Sequence, residues 1–258
     1  MRNFLFIPFI MSMGIGLFSC NLGGGGGNKA TYQNMPATVV KFDAGMNSVV
    51  IGTALRYLAA PSLTDVYDGD CIFIDQFTID FDNQPSTSYY TISDVLMEKV
   101  DQSPLEMRDT ILLGDNPLTL ANIVGNTLGF YSAYYQGKFF LSMSSKDKNP
   151  EFHLAYNTNE KETNGVKNLY LLANSYTASG IGSADTYAIH AFDLSRLIQA
   201  GRDTTLVDPD SGSDTKLKYI KINLKYPSTI LKDIAGKDSA AYTTANTSPF
   251  EIYMFNGI

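Results

Sequence analysis

From Thr38 onward the chain is divided into short apolar runs, and the cleanest of them alternates. In Lys218-Tyr219-Ile220-Lys221-Ile222-Asn223-Leu224-Lys225-Tyr226, residues Tyr219, Lys221, Asn223 and Lys225 fall on one face and Ile220, Ile222, Leu224 and Tyr226 on the other. A period of two predicts a half-buried strand, here placed near a sheet edge. Thr38-Val39-Val40, Ser48-Val49-Val50-Ile51, Cys71-Ile72-Phe73-Ile74 and Phe77-Thr78-Ile79-Asp80-Phe81 also read as strands, and Tyr89-Tyr90-Thr91-Ile92-Ser93 opens another. Val66-Tyr67-Asp68-Gly69-Asp70 predicts a tight turn with its glycine at positive φ, and Asp82-Asn83-Gln84-Pro85-Ser86 a second turn.

Residues Ser93 to Met107 carry more charge and are compatible with helix or strand. Composition turns to Gly and Asn near Gly125 to Gly129, after which aromatic runs resume, so a domain boundary is expected between residues 34–128 and 129–258. The second series continues through Lys138-Phe139-Phe140-Leu141-Ser142-Met143, Glu151-Phe152-His153-Leu154-Ala155-Tyr156, Leu169-Tyr170-Leu171-Leu172-Ala173 and Tyr187-Ala188-Ile189-His190-Ala191-Phe192, a spacing that suits a meander or sandwich. Asp193-Leu194-Ser195-Arg196-Leu197-Ile198 offers a helix N-cap and apolar spacing for a turn or two. Past Pro227 the pattern loosens, ending in Phe250-Glu251-Ile252-Tyr253-Met254-Phe255, which predicts a terminal strand or a partly ordered tail.

The amino terminus has a different logic. Arg2 precedes an apolar run from Phe4 to Phe18, too short for the roughly 20 residues of a membrane-spanning helix. It ends in Leu17-Phe18-Ser19-Cys20, followed by five glycines, Gly23 to Gly27. Residues 1–19 are expected to be a lipoprotein signal peptide and Cys20 the lipidated residue, with 20–33 a flexible tether. Each buried methylene contributes about 0.8 kcal/mol, so two or three acyl chains hold a soluble domain at a membrane. The expected location is the cell envelope, as an outer-membrane lipoprotein with a periplasmic or cell-surface face.

The 258-residue chain has a formal charge of −7, and loss of Arg2 with the leader makes it more acidic. An acidic chain without a Lys/Arg cluster lacks the footprint of a nucleic-acid binder, so membrane contact is expected through the lipid alone. With Cys20 acylated, Cys71 is the remaining thiol, no intrachain disulfide can form, and an apolar setting makes Cys71 a small buried hydrophobe. Aromatic content of 12% as Tyr and Phe, without Trp, favours strands, and the expected class is all-β.

The order of segments resembles the NigD-like lipoproteins of Bacteroidota. The resemblance rests on Cys20, the Asp68-Gly69-Asp70 turn entering a strand, Tyr89-Tyr90, and Ala191-Phe192-Asp193-Leu194-Ser195-Arg196-Leu197 before the alternating strand ending in Lys225-Tyr226. It covers Thr38 to Tyr226; the glycine tether and the tail past Pro227 are departures. The resemblance implies an OB-like β-barrel followed by an immunoglobulin-like β-sandwich, and carries over no catalytic residue.

Candidate chemistry is sparse. A Ser-His-Asp hydrolase needs a base, but His153 and His190 lie in strand segments away from any G-x-S-x-G sequence, where a structural histidine is the commoner reading. Cys71, His153 and His190 lack paired zinc-ligand spacing. Asp208, Asp210 and Asp214 could surround calcium, but the third oxygen ligand, the Gly and the distal Glu are not at the places an EF-hand loop demands, so a solvated loop is favoured. Tyr89, Tyr90, Tyr131, Tyr134 and Tyr135 offer flat faces with hydroxyls suited to a glycan or protein partner, although alternate tyrosines in strands more often pack a core. No cofactor is expected. The sequence predicts a non-catalytic binding or structural role, against two alternatives: a glycan hydrolase built on paired carboxylates among Asp75, Asp80, Asp82 and Asp101, or a fimbrial-type subunit that donates Phe250–Phe255 to a neighbour.

Overall fold

The computed structural model describes residues 28–41, 47–51, 57–61, 63, 65–84, 89–119, 137–147, 150–175, 181–207, 214–232, 238–246 and 248–255. The chain divides into two units, Met1–Lys99 and Val100–Ile258. Cys20, Tyr131, Tyr134, Tyr135, Asp208 and Asp210 lie outside the described residues, as does the stretch 125–129 where a boundary was expected. The division falls earlier than that expectation because Asp101–Pro104 and Glu106–Arg108 pair with strands of the second unit.

The first unit is a closed barrel of β1 (Lys29–Lys41), β2 (Asn47–Ile51), β3 (Tyr57–Ala59), β4 (Cys71–Asp80) and β5 (Tyr89–Lys99) in the order β1-β2-β3-β5-β4. The parallel β3–β5 pairing closes an otherwise antiparallel ring, which is the Greek-key barrel of OB type. Period two puts Ile72, Ile74, Phe77, Ile79 and Val39 inside, each no more than 5% exposed. The runs at Cys71 and Phe77, expected as separate strands, form one strand with irregular register near Gln76, and this lets both contribute to the core. Cys71 is buried, as its apolar setting implied.

The tether is shorter than expected. Lys29 to Gln33 already belong to β1, opposite Asp80 to Gln76; Lys29 Nζ lies 3.1 Å from Asp80, and the Tyr32 ring stacks on Phe77 at 5.1 Å. At the predicted turn, Gly69 has φ +84, its N–H donates to the Val39 carbonyl at 2.9 Å, and Tyr67 N–H donates to Asp70 Oδ2 at 2.8 Å. A left-handed backbone is inexpensive only for glycine there.

The second unit is a sandwich of two sheets. One contains β6 (Asp101–Pro104), β11 (Ile181–Asp193) and β8 (Lys138–Asp147), in that order. The other contains β7 (Glu106–Arg108), β9 (Pro150–Asn157), β10 (Val166–Ser175), β12 (Arg202–Val207), β13 (Asp214–Lys232), β14 (Asp238–Thr244) and β15 (Phe250–Phe255). Its layering is immunoglobulin-like, two packed sheets about one core, and the pairings β10–β13, β7–β9 and β6–β11 run parallel. The core brings Phe139, Leu141, Met143 and Phe192 of the small sheet against Leu154, Leu169, Leu171 and Ile222 of the large one. A fully buried side chain of this size contributes about 1.5–3 kcal/mol.

The alternation read in Lys218–Tyr226 is the face assignment observed: Ile220, Ile222, Leu224 and Tyr226 are at most 7% exposed. The edge placement is corrected, because β13 is the hub of its sheet. β12 and β10 lie end to end along one side of it, and β15 and β14 along the other. The residues after Pro227 complete that sheet, with Ile252 wholly buried, so the terminal strand pairs within its own chain. Helix α1 (Ser195–Gln199) appears where predicted; Asp193 Oδ1 accepts the Ser195 N–H at 2.9 Å, while Leu197 and Ile198 enter the core.

Candidate functional site

The alternating strands of the large sheet carry a second set of side chains on the face away from the core. On β10 these are Asn168, Tyr170 and Leu172; in parallel register Asn168 lies opposite Asn223 and Tyr170 opposite Lys225. Side chains in register on neighbouring strands are close enough to bond. Asn223 Nδ2 donates to Asn168 Oδ1 at 3.4 Å, and Asn246 Nδ2 donates to Asn223 Oδ1 at 3.2 Å. Asn246 is held by its own Oδ1, which accepts the Leu224 N–H at 2.9 Å. At the other end, Asn168 Nδ2 and the Tyr170 hydroxyl donate to the two oxygens of Glu160 at 2.5 and 2.7 Å.

Lys225 completes this row. Its Nζ lies 3.7 Å from Glu160 and 5.6 Å from the centroid of the Tyr170 ring, a cation over an aromatic face. Tyr242 meets Tyr170 edge to face at 4.9 Å. Burial raises the Tyr170 phenol pKa far above its ordinary value, and the bond to Glu160 adds to the shift; burial also raises that of Tyr242. Ile111, Leu113 and Tyr242 pack against Ala155, Tyr170 and Leu172, and a cleft of about 330 Å³ beside β14 is lined by Leu112, Asp238 and Tyr242. The face thus presents fixed amides, a carboxylate, a lysine and tyrosines. Such groups recognise by hydrogen bonding and stacking, and none of them is an activated nucleophile.

The residues singled out from sequence are placed differently. Tyr90 is partly buried against the barrel core, edge-on to Phe81 at 5.6 Å, so it packs rather than forming an open face; Tyr89 opens β5 beside it. Asp214 opens β13 opposite Val207, and among the described residues no group of His, Cys, Asp or Glu is arranged to hold a metal. His153 Nδ1 lies 2.8 Å from Glu106, which also pairs with Arg108, and His153 Nε2 lies 3.5 Å from Glu151.

His190 makes a contact that sequence reasoning missed: its Nε2 lies 3.0 Å from Ser103 Oγ, its ring 4.7 Å from Phe192. Burial lowers its pKa, opposed by nearby Asp101 and aided by His153. Ser103 and His190 are 87 residues apart and meet through the parallel β6–β11 pairing, which no local pattern signals. A serine and histidine alone do not make a hydrolase: an orienting carboxylate and oxyanion donors at a cleft are needed as well. The amide row was half visible, since Asn223 and Lys225 were read on the outer face of their strand. Its partners Asn168 and Asn246 depend on pairings between distant segments.

No family model and no curated protein matches the chain. Solved structures do. An uncharacterized protein from Parabacteroides merdae is similar over 84% of this chain and 97% of its own, at 17% identity and a TM-score of 0.58. A candidate lipoprotein from Bacteroides fragilis is similar over 88% of this chain and 98% of its own, at 13% identity and a TM-score of 0.51. A NigD-like immunity protein from Bacteroides caccae also matches, over 89% of this chain and 98% of its own, at 14% identity and a TM-score of 0.45. The chain therefore has the all-β fold of the Parabacteroides merdae and Bacteroides fragilis proteins.

Proposed function

We propose that this protein is a lipoprotein of the cell envelope, anchored through acyl chains on Cys20, that binds a partner and performs no catalysis of its own. The observation that carries the binding role is the row Tyr170–Glu160–Asn168–Asn223–Asn246. Its amide and carboxylate groups are fixed to one another and to the central strands of a sheet, and polar groups held on rigid elements are what recognition requires. Tyrosine and amide side chains suit a protein or glycan surface, and an acidic chain disfavours nucleic acid. The Leu17-Phe18-Ser19-Cys20 sequence supports the anchor, and a fold shared with a candidate lipoprotein agrees with it. An outer-membrane position with a periplasmic face is the placement we favour.

The test pairs location with chemistry. Cys20→Ala is expected to move the protein from the membrane to the soluble fraction, and membrane association that survives the change would overturn the anchor. Purified protein incubated with envelope polysaccharides is expected to release no reducing sugar; turnover would restore the hydrolase alternative.

A further inference from the structure

Along one side of β13 the pairing passes from β12 to β10, and the handover leaves a gap. β12 ends its ladder with Arg202 opposite Tyr219, and β10 begins with Val166 opposite Lys221. The gap is a cleft of about 160 Å³ lined by Glu162, Asn164, Lys167, Arg202, Tyr219 and Lys221, among others. Three cations meet there in a chain whose formal charge is −7.

Two of the three are neutralised. Lys167 pairs with Glu162, and Lys221 lies 2.7 Å from Glu251 of β15. The Arg202 side chain has no hydrogen bond or ion pair to another described residue. Its guanidinium is nonetheless positioned: a Cβ on Gly165 would sit 2.7 Å from Arg202 Nη2, so the absence of a side chain at Gly165, whose φ is +74, admits it to the cleft mouth. A guanidinium presents a planar fork that matches a carboxylate through two parallel hydrogen bonds.

We propose that this gap binds an acidic sugar residue, its carboxylate on Arg202. The neighbours decide between a sugar acid and a bare oxyanion. With Lys167 and Lys221 engaged, the cleft offers one unmatched cation, which fits a single carboxylate better than the denser charge of phosphate. Tyr219 and Asn164 also line the cleft, residue types that suit the ring and hydroxyls of a sugar, and the volume exceeds what a carboxylate alone would fill. This assignment rests on the binding role proposed above and names its ligand class.

The test is titration of the full lipidated chain in detergent micelles with glucuronic acid, glucose and inorganic phosphate, followed by NMR. Glucuronic acid is expected to saturate, glucose to bind at least tenfold more weakly, and phosphate to compete poorly. Arg202→Gln is expected to weaken glucuronic acid binding about tenfold, the loss of a charge-assisted pair, with thermal unfolding unchanged because Arg202 is exposed. Arg202→Lys, which keeps the charge and loses the fork, is expected to bind as poorly as the glutamine variant. Absence of glucuronic acid binding, undiminished binding by Arg202→Gln, full recovery by lysine, or displacement by equimolar phosphate would each overturn the assignment. Failure here is separable from failure of the envelope reading, because release of Cys20→Ala from membranes is measured without any ligand.

Discussion

Tyr170 donates its hydroxyl to Glu160 at 2.7 Å, joining the middle of β10 to the turn that precedes it by ten residues. The bond ties a buried tyrosine of the outer sheet face to the carboxylate that also takes Asn168. Because burial and this bond both disfavour the phenolate, Tyr170 ionises at higher pH in the folded chain than in the unfolded one.

The stability this group contributes is whole below its ordinary value of 10.0 and is lost as pH rises above it, where the unfolded chain releases a proton that the folded chain keeps. Urea unfolding between pH 9 and 11 is expected to show falling stability in the wild type and a shallower fall in Tyr170→Phe. At neutral pH the Phe variant is expected to be about 1 kcal/mol less stable, the typical net worth of one intramolecular hydrogen bond.

His190 works in the opposite direction. Burial holds its folded pKa below the ordinary 6.5, so its contribution is present above that value and is lost as pH falls, when the unfolded chain takes up a proton first. His190→Gln is expected to remove this loss of stability between pH 7 and 5, read by thermal melts. Replacing His153 and His190 together is expected to leave ligand binding intact; loss of binding in a folded double variant would give these histidines a functional role.

The terminal strand is structural. Deleting residues 249–258 removes the β15 ladder from the edge of β13 and takes Ile252 out of the core. Cooperative unfolding is expected to be lost or shifted by several kcal/mol, with aggregation through the exposed β13 edge, whereas strand exchange between copies would leave a well-folded monomer. Ile252→Ala alone is expected to cost about 2–5 kcal/mol in chemical denaturation.

Much of this was legible in the residues themselves, because local patterns report local environment. Period two separated Ile220, Ile222, Leu224 and Tyr226 from Tyr219, Lys221, Asn223 and Lys225; Gly69 marked its turn; and Asp193 marked the start of α1. These are short-range consequences of side-chain direction and backbone strain. The same rules could not say that Lys29 to Gln33 leave the tether to pair with β4, or that Lys218–Tyr226 lies at the centre of a sheet. Pairing depends on which strand finds which, and period two is the same at an edge and at a hub.

The candidate site depended still more on tertiary structure. Asn168, Asn223 and Asn246 are ordinary polar residues in the linear chain, and Ser103 and His190 have no common motif. Sequence alone determined the fold class and the acidic character, since composition and charge are properties of the chain without its fold. The amide row, the central place of β13 and the gap holding Arg202 were decided only when parallel register brought distant strands side by side, because a hydrogen bond requires two groups within about 3 Å and sequence distance says nothing of that.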